Sequence, residues 1–450
     1  MNQQNTRDSF GSKFGVFAAV VGSAVGLGNI WRFPYMAGEN GGGAFLVVYF
    51  AFVLIIGIPV VISEFIIGRR GQSNSYGSFK KLAPGKPWYF VGLMGIFASF
   101  IILAFYSTIA GWTLEYIFLS VKNIFVPPAG SPEEVFQVFH TGSFLPVLWQ
   151  IIFMILTALI IYCGVQKGIE KYSKILMPTL FLILVILSVK AISLPNSAEG
   201  LKFLFKPDFS KINSTVILSA LGQAAFSLSI GMGCLITYGS YIKKDNNLTK
   251  MAFSVSLADM SIAILAGIAI FPAVFSFGIS PEQGPGLVFI VLPKVFQQMM
   301  GGTFFALLFF ILLAIAALTS AISLLEVIVA YLTEEFRLKR LTATALATAL
   351  TVGLGVFTTL SFGSLKGFTV FGKTLFDGCD FLATNILLPL GAFFIVVFLG
   401  WFYNKKYTQD ELSNHGTLKM KLFPVFLFII RFLAPLAILL AFLHGLGIFQ

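Results

Sequence analysis

One acidic residue and two interruptions rich in glycine and serine stand inside otherwise apolar runs of this chain. Asp259 lies in the apolar run 251–277, where an unpaired carboxylate would be costly to bury. The interruptions read Gly-Ser-Ala-Val-Gly-Leu-Gly-Asn over 22–29 and Phe-Ser-Leu-Ser-Ile-Gly-Met-Gly over 226–233. Breaks of this kind free carbonyl oxygens that hold cations and amides that hold anions, although glycines also serve tight helix crossings. The candidate chemistry is therefore ion and zwitterion binding.

The elements that position these residues must be membrane helices. Of the 450 residues, 57% are hydrophobic and only 11% charged, whereas a soluble domain carries about 25% charged residues. This composition excludes a soluble enzyme and a disordered protein, and the long uniform apolar runs exclude a β-barrel. The net charge of +11 sits in short loops, where it orients a membrane protein rather than binding nucleic acid.

Apolar runs separated by polar or Gly/Pro breaks predict eleven membrane segments. Their approximate ranges are 14–37, 42–68, 88–120, 146–163, 170–190, 213–241, 248–276, 303–332, 341–360, 371–402 and 422–448. Lys and Arg are concentrated in alternate loops, so we expect a multi-pass protein of the cell's inner (plasma) membrane with a cytoplasmic N-terminus. A short lid or re-entrant helix is expected over 281–296, bounded by Pro293.

The two interruptions lie five segments apart, at corresponding positions of two five-segment halves. We place these halves at about 14–190 and 213–402, with an extra segment at about 422–448. Inverted repeats with matching broken helices indicate a transporter whose binding site lies near the middle of the membrane. The predicted fold class is an all-α integral membrane protein, a single transmembrane domain with discontinuous helices 1 and 6.

Motifs along the whole chain resemble one known family. The first interruption continues into Trp-Arg-Phe-Pro-Tyr at 31–35 and Glu-Asn-Gly-Gly-Gly-Ala-Phe at 39–45. The match extends through Gly-Ile-Pro at 57–59, Glu64, Gly68-Arg69, 222–233, Ile-Thr-Tyr-Gly-Ser-Tyr at 236–241 and Leu-Thr-Ser at 318–320. The chain resembles the neurotransmitter:sodium symporter family, and its segment number is similar to that of the bacterial eleven-helix amino-acid transporters. The resemblance implies a LeuT-type 5+5 inverted-repeat fold and sodium-driven uptake of an amino acid or related amine.

The resemblance also implies two sodium sites, made of the hard oxygens that a small cation prefers. The second site matches the carbonyls of Gly22, Val25 and Ala316 and the hydroxyls of Thr319 and Ser320. The first site matches the Ala24 carbonyl and the side chains of Asn29, Ser227 and Asp259. Without the resemblance, Thr319 and Ser320 would equally suit hydroxyls that bond back to their own helix.

Asp259 bears on the need for chloride. Many animal members of the family have a neutral residue at this position or one turn away, with a chloride ion nearby. Here Ala263, one turn on, has no group to donate to an anion. A fixed negative charge at Asp259 would balance sodium instead, so we expect chloride-independent transport. A protonated or hydroxyl-bonded structural aspartate is the alternative.

The substrate pocket implied by the resemblance suits the two charged ends of an amino acid. The amides of Leu27 and Gly28 and the hydroxyl of Tyr106 match the carboxylate-binding groups. The ammonium-binding groups match the carbonyls of Ala24, Phe226 and Ser227, together with Ser229. The remaining lining residues are Ile102, Met232, Ser320 and Leu324.

Two positions in this pocket bear on the kind of substrate. Amine-selective relatives often have an aspartate where this chain has Ala24 or Gly26, so a substrate with its own carboxylate is favoured. Met232 stands where many relatives have Phe, and the flexible Met side chain can adapt to a bulky guest. We expect a large hydrophobic or aromatic amino acid.

The resemblance supplies two gates. Arg32 and Asp380 match the outer pair, above a lid formed by Phe226 and Tyr106. The inner gate matches Arg7, Glu334, Tyr241 and Glu326. From the residues alone, charges at helix ends are more simply explained as solvated or snorkelling groups.

Other functions remain as alternatives. The nearest is a sodium-coupled carrier of another small amine or osmolyte with the same fold. A receptor or scaffold that has lost transport would not need Asn29, Thr319 and Ser320. No phosphate-binding loop or catalytic constellation is visible, so we do not expect an enzyme. The expected partners are the amino-acid substrate, Na⁺ at two sites and the lipid bilayer, with no nucleic acid and no chloride requirement.

Overall fold

The computed structural model describes residues 8–122, 131–279 and 286–448, which form an almost wholly helical bundle. The first membrane segment comprises Lys13–Ala24 and Gly28–Glu39, and the sixth comprises Ser214–Ser227 and Cys234–Gly239. The other nine are the helices Gly43–Gly71, Tyr89–Val121, Leu145–Tyr162, Val165–Ile192, Leu248–Ser276, Gly302–Glu335, Arg340–Leu360, Leu375–Phe402 and Phe423–Gly445. Within the described ranges, these nine are long and apolar enough to cross a membrane. The predicted all-α membrane architecture is therefore confirmed.

Each of the eleven predicted segments corresponds to helical structure, and two of them begin elsewhere than expected. The tenth starts at Leu375 rather than 371, because a short antiparallel hairpin pairs Thr369–Val370 with Lys373–Thr374. The fifth starts at Val165, directly after Gly164. The φ of 85° at Gly164 is not helical, so this residue separates the fifth segment from the helix before it. The turns that precede the tenth and fifth segments set where these segments begin, and hydropathy does not indicate such turns.

Short helices lie in the loops between the membrane segments. They are Ser75–Leu82, Pro132–His140, Ser197–Phe205, Phe209–Lys211, Leu287–Gln298 and Lys405–Leu412. The expected lid over 281–296 is a helix from Leu287 to Gln298, and residues 281–285 lie outside the described ranges. Pro293 does not bound this helix as predicted. It lies within it, at the start of the α-helical part that follows a wider π-helical turn.

Polar side chains define where several helices begin. Ser12 caps the first helix by accepting a hydrogen bond from the Gly15 amide. Asn213 and Asn247 cap the sixth and seventh segments by accepting from the amides of Val216 and Lys250. Such caps satisfy amides that have no partner within the helix. These caps therefore fix where the broken first and sixth segments and the Asp259-bearing seventh segment begin.

The third and eighth segments form the centre of the bundle and the eleventh lies at its edge. The third and eighth pack against each other along their length, and 72% of the most apolar window of each is buried. The corresponding figure for the eleventh segment is 22%. Its outward Leu436 and Phe432 are more than half exposed, as suits a helix that faces acyl chains.

Gly68 allows the second segment to contact the inner half of the sixth. A Cβ at this position would lie 2.0 Å from the carbonyl oxygen of Ile236 and 2.8 Å from its carbonyl carbon. Because both contacts are to backbone, no side-chain movement can relieve them. This close approach holds the inner half of the broken sixth segment in place.

We expect Gly68→Ala to destabilise the protein by about 1–3 kcal/mol through overpacking. The measurement is the thermal midpoint of the detergent-purified protein, followed by size-exclusion chromatography after heating. Gly353→Ala is the matched control, because a Cβ on Gly353 in the ninth segment meets nothing within 4 Å and Ala favours a helix. An equal midpoint in both variants would contradict the close contact.

Candidate functional site

The first membrane segment stops being helical inside the bundle. Helix Lys13–Ala24 ends at Val25, which has extended backbone (φ −80°, ψ 111°), and the two helical pieces differ in direction by 49°. A side chain does not fit at position 26 in the break, because a Cβ on Gly26 would lie 2.2 Å from Ser320 Oγ and 2.9 Å from Tyr106 Oη. The non-helical backbone at Gly26 is thus in contact with the eighth and third segments.

The sixth segment is interrupted between Ser227 and Cys234. Ser229, Gly231 and Gly233 have φ values of 54°, 80° and 76°, a conformation that Gly adopts with little strain. The Gly231 amide donates to buried Glu64 Oε1 on the second segment at 2.8 Å. Ser229 Oγ donates to the Ser23 carbonyl at 2.8 Å, so the two predicted breaks meet.

A buried cluster surrounds the carboxylate of Asp259. Asn29 Nδ2 donates to Asp259 Oδ1 at 2.7 Å, and Ser227 Oγ donates to the same oxygen at 2.8 Å. Tyr49 Oη donates to Asp259 Oδ2 at 3.0 Å. All four side chains are at most 1% exposed. Side chains from four membrane segments therefore meet at the carboxylate of Asp259. Such a group of oxygens suits a monovalent cation.

Of the residues predicted for the first cation site, three meet in this cluster. They are Asn29, Ser227 and Asp259. Asn29 Oδ1 also accepts from the Gly26 amide at 3.2 Å, which ties the cluster to the broken backbone. The cluster's hydrogen bonds among the described residues do not include the Ala24 carbonyl, although Ala24 is buried at the end of the adjoining helix.

Sequence reasoning missed Tyr49. Its hydroxyl lies 3.2 Å from Ser227 Oγ as well as 3.0 Å from Asp259 Oδ2. The available signal was a hydroxyl within the apolar run 45–56 of the second segment, since a buried phenol in a membrane helix requires a hydrogen-bond partner. Nothing in the sequence indicated that its partner is Asp259, more than two hundred residues away.

The five residues predicted for the second cation site come together between the first and eighth segments. Ser320 Oγ lies 3.2 Å from the Val25 carbonyl oxygen and 3.5 Å from that of Gly22. Thr319 Oγ1 lies 3.4 Å from the Val25 oxygen and 3.1 Å from that of Ala316. It also reaches the Ile315 carbonyl at 3.1 Å, the ordinary back-bond of a helical Thr. The set comprises five neutral oxygens within reach of one another, the chemistry that Na⁺ prefers.

The Leu27 amide and the Tyr106 hydroxyl form a polar pair at the first break. The amide donates to Tyr106 Oη at 3.1 Å, and both residues line a cavity of about 270 Å³ with Gly28. The Phe226 ring covers Gly28, where an added Cβ would lie 3.2 Å from two ring carbons. An amide and a phenol at the start of a half-helix suit a carboxylate.

The other predicted substrate residues do not line this cavity. Ile102, Met232 and Leu324 are buried to 1%, 4% and 3% exposure, whereas Phe226 lines the cavity. Ser229 and Ser320 are engaged with backbone carbonyls of the first segment. Of the predicted substrate residues, Leu27, Gly28, Tyr106 and Phe226 therefore line the cavity.

The outer gate residues face the same cavity without joining. Arg32 and Asp380 both line it, but no ion pair within 4.0 Å connects them in the described part of the chain. The Arg32 guanidinium lies over the Phe226 ring, 4.5 Å from its centroid. The cavity, which we call the vestibule, thus contains one guanidinium and the acidic side chains of Asp377 and Asp380.

His140, on the loop helix Pro132–His140, also lines the vestibule. Burial and the positive charge of Lys366 lower its pKa from the ordinary value of 6.5, against the hydrogen bond to the Phe136 carbonyl, which raises it. The ring is therefore neutral at pH 7 and adds no charge to the vestibule.

Two of the residues predicted for the inner gate are bonded to each other. Tyr241 Oη donates to Glu326 Oε1 at 2.7 Å, and Arg340 Nη2 donates to Glu326 Oε2 at 2.6 Å. Arg340 was not predicted. It is the first residue of the ninth segment and lies 14 residues after Glu326. Because the two residues are on different helices, the periodicity of neither helix indicates their contact. Phe10, 1% exposed, packs edge-on against Tyr241 and its neighbour Tyr238.

The remaining predicted inner-gate residues are Glu334 and Arg7. Glu334 Oε2 accepts hydrogen bonds from Ser73 Oγ at 2.9 Å and from the Asn74 amide at 2.8 Å. Arg7 lies outside the described residues. Glu334 therefore links the end of the eighth segment to the loop that follows the second.

Comparisons with known proteins agree with this architecture. Residues 7–127 and 138–450 match the model of the sodium:neurotransmitter symporter family. The chain is 41% identical to an uncharacterized sodium-dependent transporter of Bacillus subtilis over 97% of both chains, and 38% identical to one of Haemophilus influenzae over 98% of both. The crystal structure of MhsT in complex with L-phenylalanine matches with a TM-score of 0.91 and 47% identity. That match covers 98% of this chain and all of the other.

We expect Tyr49→Phe to raise the half-saturating sodium concentration for substrate binding by about tenfold or more. The substitution removes a hydrogen bond to the buried Asp259 carboxylate, and such bonds to charged groups contribute about 1.5–3 kcal/mol. The measurement is a sodium titration of radiolabelled substrate binding to purified protein. An unchanged midpoint in a correctly folded variant would show that the phenol plays no part in the cation site.

Proposed function

We propose that this chain, which belongs to the sodium:neurotransmitter symporter family and is therefore a sodium-coupled transporter, imports a large hydrophobic or aromatic amino acid. The observation that carries the proposal is the Leu27 amide paired with the Tyr106 hydroxyl at the broken first segment. The protein would work in the cell's inner (plasma) membrane with its N-terminus in the cytoplasm, in keeping with the distribution of Lys and Arg among the loops.

The carboxylate of the substrate would bind at this pair. Two donors converge there, because the Tyr106 hydroxyl that now accepts from Leu27 can turn its own proton toward an anion. Gly26 has no room for a side chain between Ser320 and Tyr106. An aspartate that would neutralise a simple amine therefore does not fit at this position, and the substrate must bring its own negative charge.

The ammonium and the side chain of the substrate would be held by groups around the second break. Carbonyls of Ala24, Phe226 and Ser227, with Ser229, provide neutral acceptors where both helices are interrupted. The buried side chains of Ile102, Met232 and Leu324 are wholly apolar. A pocket lined by them would favour a large apolar side chain by about 1–3 kcal/mol per methylene-sized difference, and the L-phenylalanine bound by MhsT supports the same class.

Sodium would couple to the substrate at the first cation site. A cation beside Asp259 and Asn29 would lie next to the break at which the carboxylate binds, so each charge stabilises the other. The Asp259 carboxylate would balance the sodium charge without an anion from solution. Ala263, one turn along and fully buried, offers no donor to chloride. We therefore propose transport that needs sodium at two sites and no chloride.

Alternating access would follow from the two gates. The bonded Glu326–Arg340 pair on the inside and the separated Arg32 and Asp380 on the outside correspond to a stage that is closed inward. Sodium at the second site would tie the first segment to the eighth through Thr319 and Ser320. Substrate binding would then let Arg32 approach Asp380, and sodium loss to the cytoplasm would free the inner gate. The membrane potential contributes about 2.3 kcal/mol per charge per 100 mV.

We expect proteoliposomes that contain the purified protein to accumulate phenylalanine, tyrosine, tryptophan or leucine only when sodium is outside. Replacing chloride with gluconate should leave the initial rate unchanged, whereas replacing sodium with potassium should abolish uptake. The compounds tested for uptake should also include betaine and dopamine. Accumulation of either of these in preference to every amino acid would overturn the substrate class, and loss of uptake in gluconate would overturn the role given to Asp259.

We expect Thr319→Val to raise the half-saturating sodium concentration for uptake at least tenfold. The substitution keeps the branched shape and removes one of five oxygens from the second cation site. Thr351→Val is the matched control, because Thr351 is equally buried and its hydroxyl only bonds back to Ala347 in the ninth segment. Equal sodium midpoints in the two variants would remove Thr319 from the site.

A further inference from the structure

A second cavity lies behind the Phe226 ring, away from the vestibule. It has a volume of about 350 Å³ and is lined by residues of the first, second, sixth, tenth and eleventh segments. Among the described residues, Arg32 and Phe226 alone line both cavities. A volume of this size falls at the lower end of the range that small ligands occupy. The sodium and substrate sites described above do not use this space.

The walls of this second cavity are mostly apolar. Ile56 and Leu388 come from the second and tenth segments, and Ile438 and Ala441 from the eleventh. The eleventh segment is the least buried of the nine continuous helices described, with 22% of its apolar window covered. The cavity is therefore separated from the membrane phase by a single helix, and an apolar molecule can approach it from the bilayer.

The polar groups of the cavity carry positive charge and no negative charge. Arg32 contributes its guanidinium, and its buried Nε has no hydrogen-bond partner. Asn385 and His444 add further hydrogen-bonding groups. No Asp or Glu occurs among the described residues that line the cavity, whereas the vestibule has Asp377 and Asp380 beside the same arginine.

This difference selects the charge type of the ligand. A zwitterion brings an ammonium that the acidic side chains of the vestibule can meet but the second cavity cannot. A carboxylate without an ammonium suits the second cavity, because the unpaired Nε of Arg32 supplies a charge-assisted hydrogen bond and an unmet buried donor is costly. The limited volume favours a single chain or a single ring over a two-chain lipid.

We propose that the second cavity binds a small apolar carboxylic acid, with its carboxylate on Arg32 and its tail between the tenth and eleventh segments. The bound acid holds Arg32 on the far side of Phe226 and so keeps the guanidinium from Asp380. Uptake is inhibited as a result. The inhibitory consequence depends on the proposed transport function, whereas the binding itself does not.

The binding test uses the full-length purified protein in lipid nanodiscs and ligand-observed NMR. The probes are octanoate, for an acid drawn from lipid, and 3-phenylpropanoate, for a water-borne aromatic acid, with octanol as the uncharged analogue. We expect at least one acid to bind, and octanol to bind at least tenfold more weakly than octanoate. Equal binding of octanol and octanoate, or no binding of either acid, would overturn the proposal.

The location is tested with Ala441→Phe, which fills the cavity from the eleventh segment. Leu440→Phe is the matched control, because Leu440 is 41% exposed on the outer side of the same helix. We expect acid binding to fall at least tenfold in Ala441→Phe and to persist in Leu440→Phe. Should Ala441→Phe not fold, Ala441→Leu fills less of the same space and should weaken binding by a smaller factor. Unchanged binding in a folded Ala441 variant would refute the assignment.

The transport consequence is measured as sodium-driven uptake with and without the acid that binds. We expect inhibition in the unsubstituted protein and in Leu440→Phe, and at least tenfold weaker inhibition in Ala441→Phe, whose uptake without acid should stay within twofold. Inhibition that persists in Ala441→Phe would contradict the link to Arg32. A protein that binds the acid through Ala441 but shows no sodium-driven uptake would refute the proposed function and leave the binding site standing.

Discussion

The buried carboxylate of Asp259 is the charge around which the bundle is organised. Asn29, Ser227 and Tyr49 donate to it from three other membrane segments, since a carboxylate without such partners is too costly inside a membrane protein. Those same contacts hold the broken first and sixth segments against each other. The constraint that makes the charge tolerable therefore also builds the place where we propose that a cation and a zwitterion bind.

The two helix breaks convert ordinary backbone into binding groups. Gly26, Gly231 and Gly233 remove side chains at the points where the segments meet, and neighbouring hydroxyls approach the freed carbonyls. Most of the oxygens that we propose for the second cation site are consequently backbone oxygens. Their position depends on how the first segment packs on the eighth, so a change in that packing changes the site directly.

Arg32 links the site to the outer surface of the bundle. It lies over Phe226 and borders two cavities of different charge, the vestibule with its two acidic residues and the apolar cavity behind the tenth segment. Because one guanidinium cannot bond on both sides of the ring at once, occupation of either cavity influences the other. The state of the outer gate therefore depends on which partner Arg32 binds.

The sequence by itself determined the eleven segments, the two breaks and the identities of Asn29, Asp259, Thr319 and Ser320, because apolar length, glycine-rich interruptions and a long family motif are local signals. The tertiary structure decided which distant groups complete them. Tyr49 bonds to Asp259, Arg340 bonds to Glu326, and Arg32 stands apart from Asp380. These contacts join residues on different segments, and helix periodicity does not report the rotation and depth at which two helices meet. The second cavity has the same origin, since it lies where five segments leave the space between them unfilled.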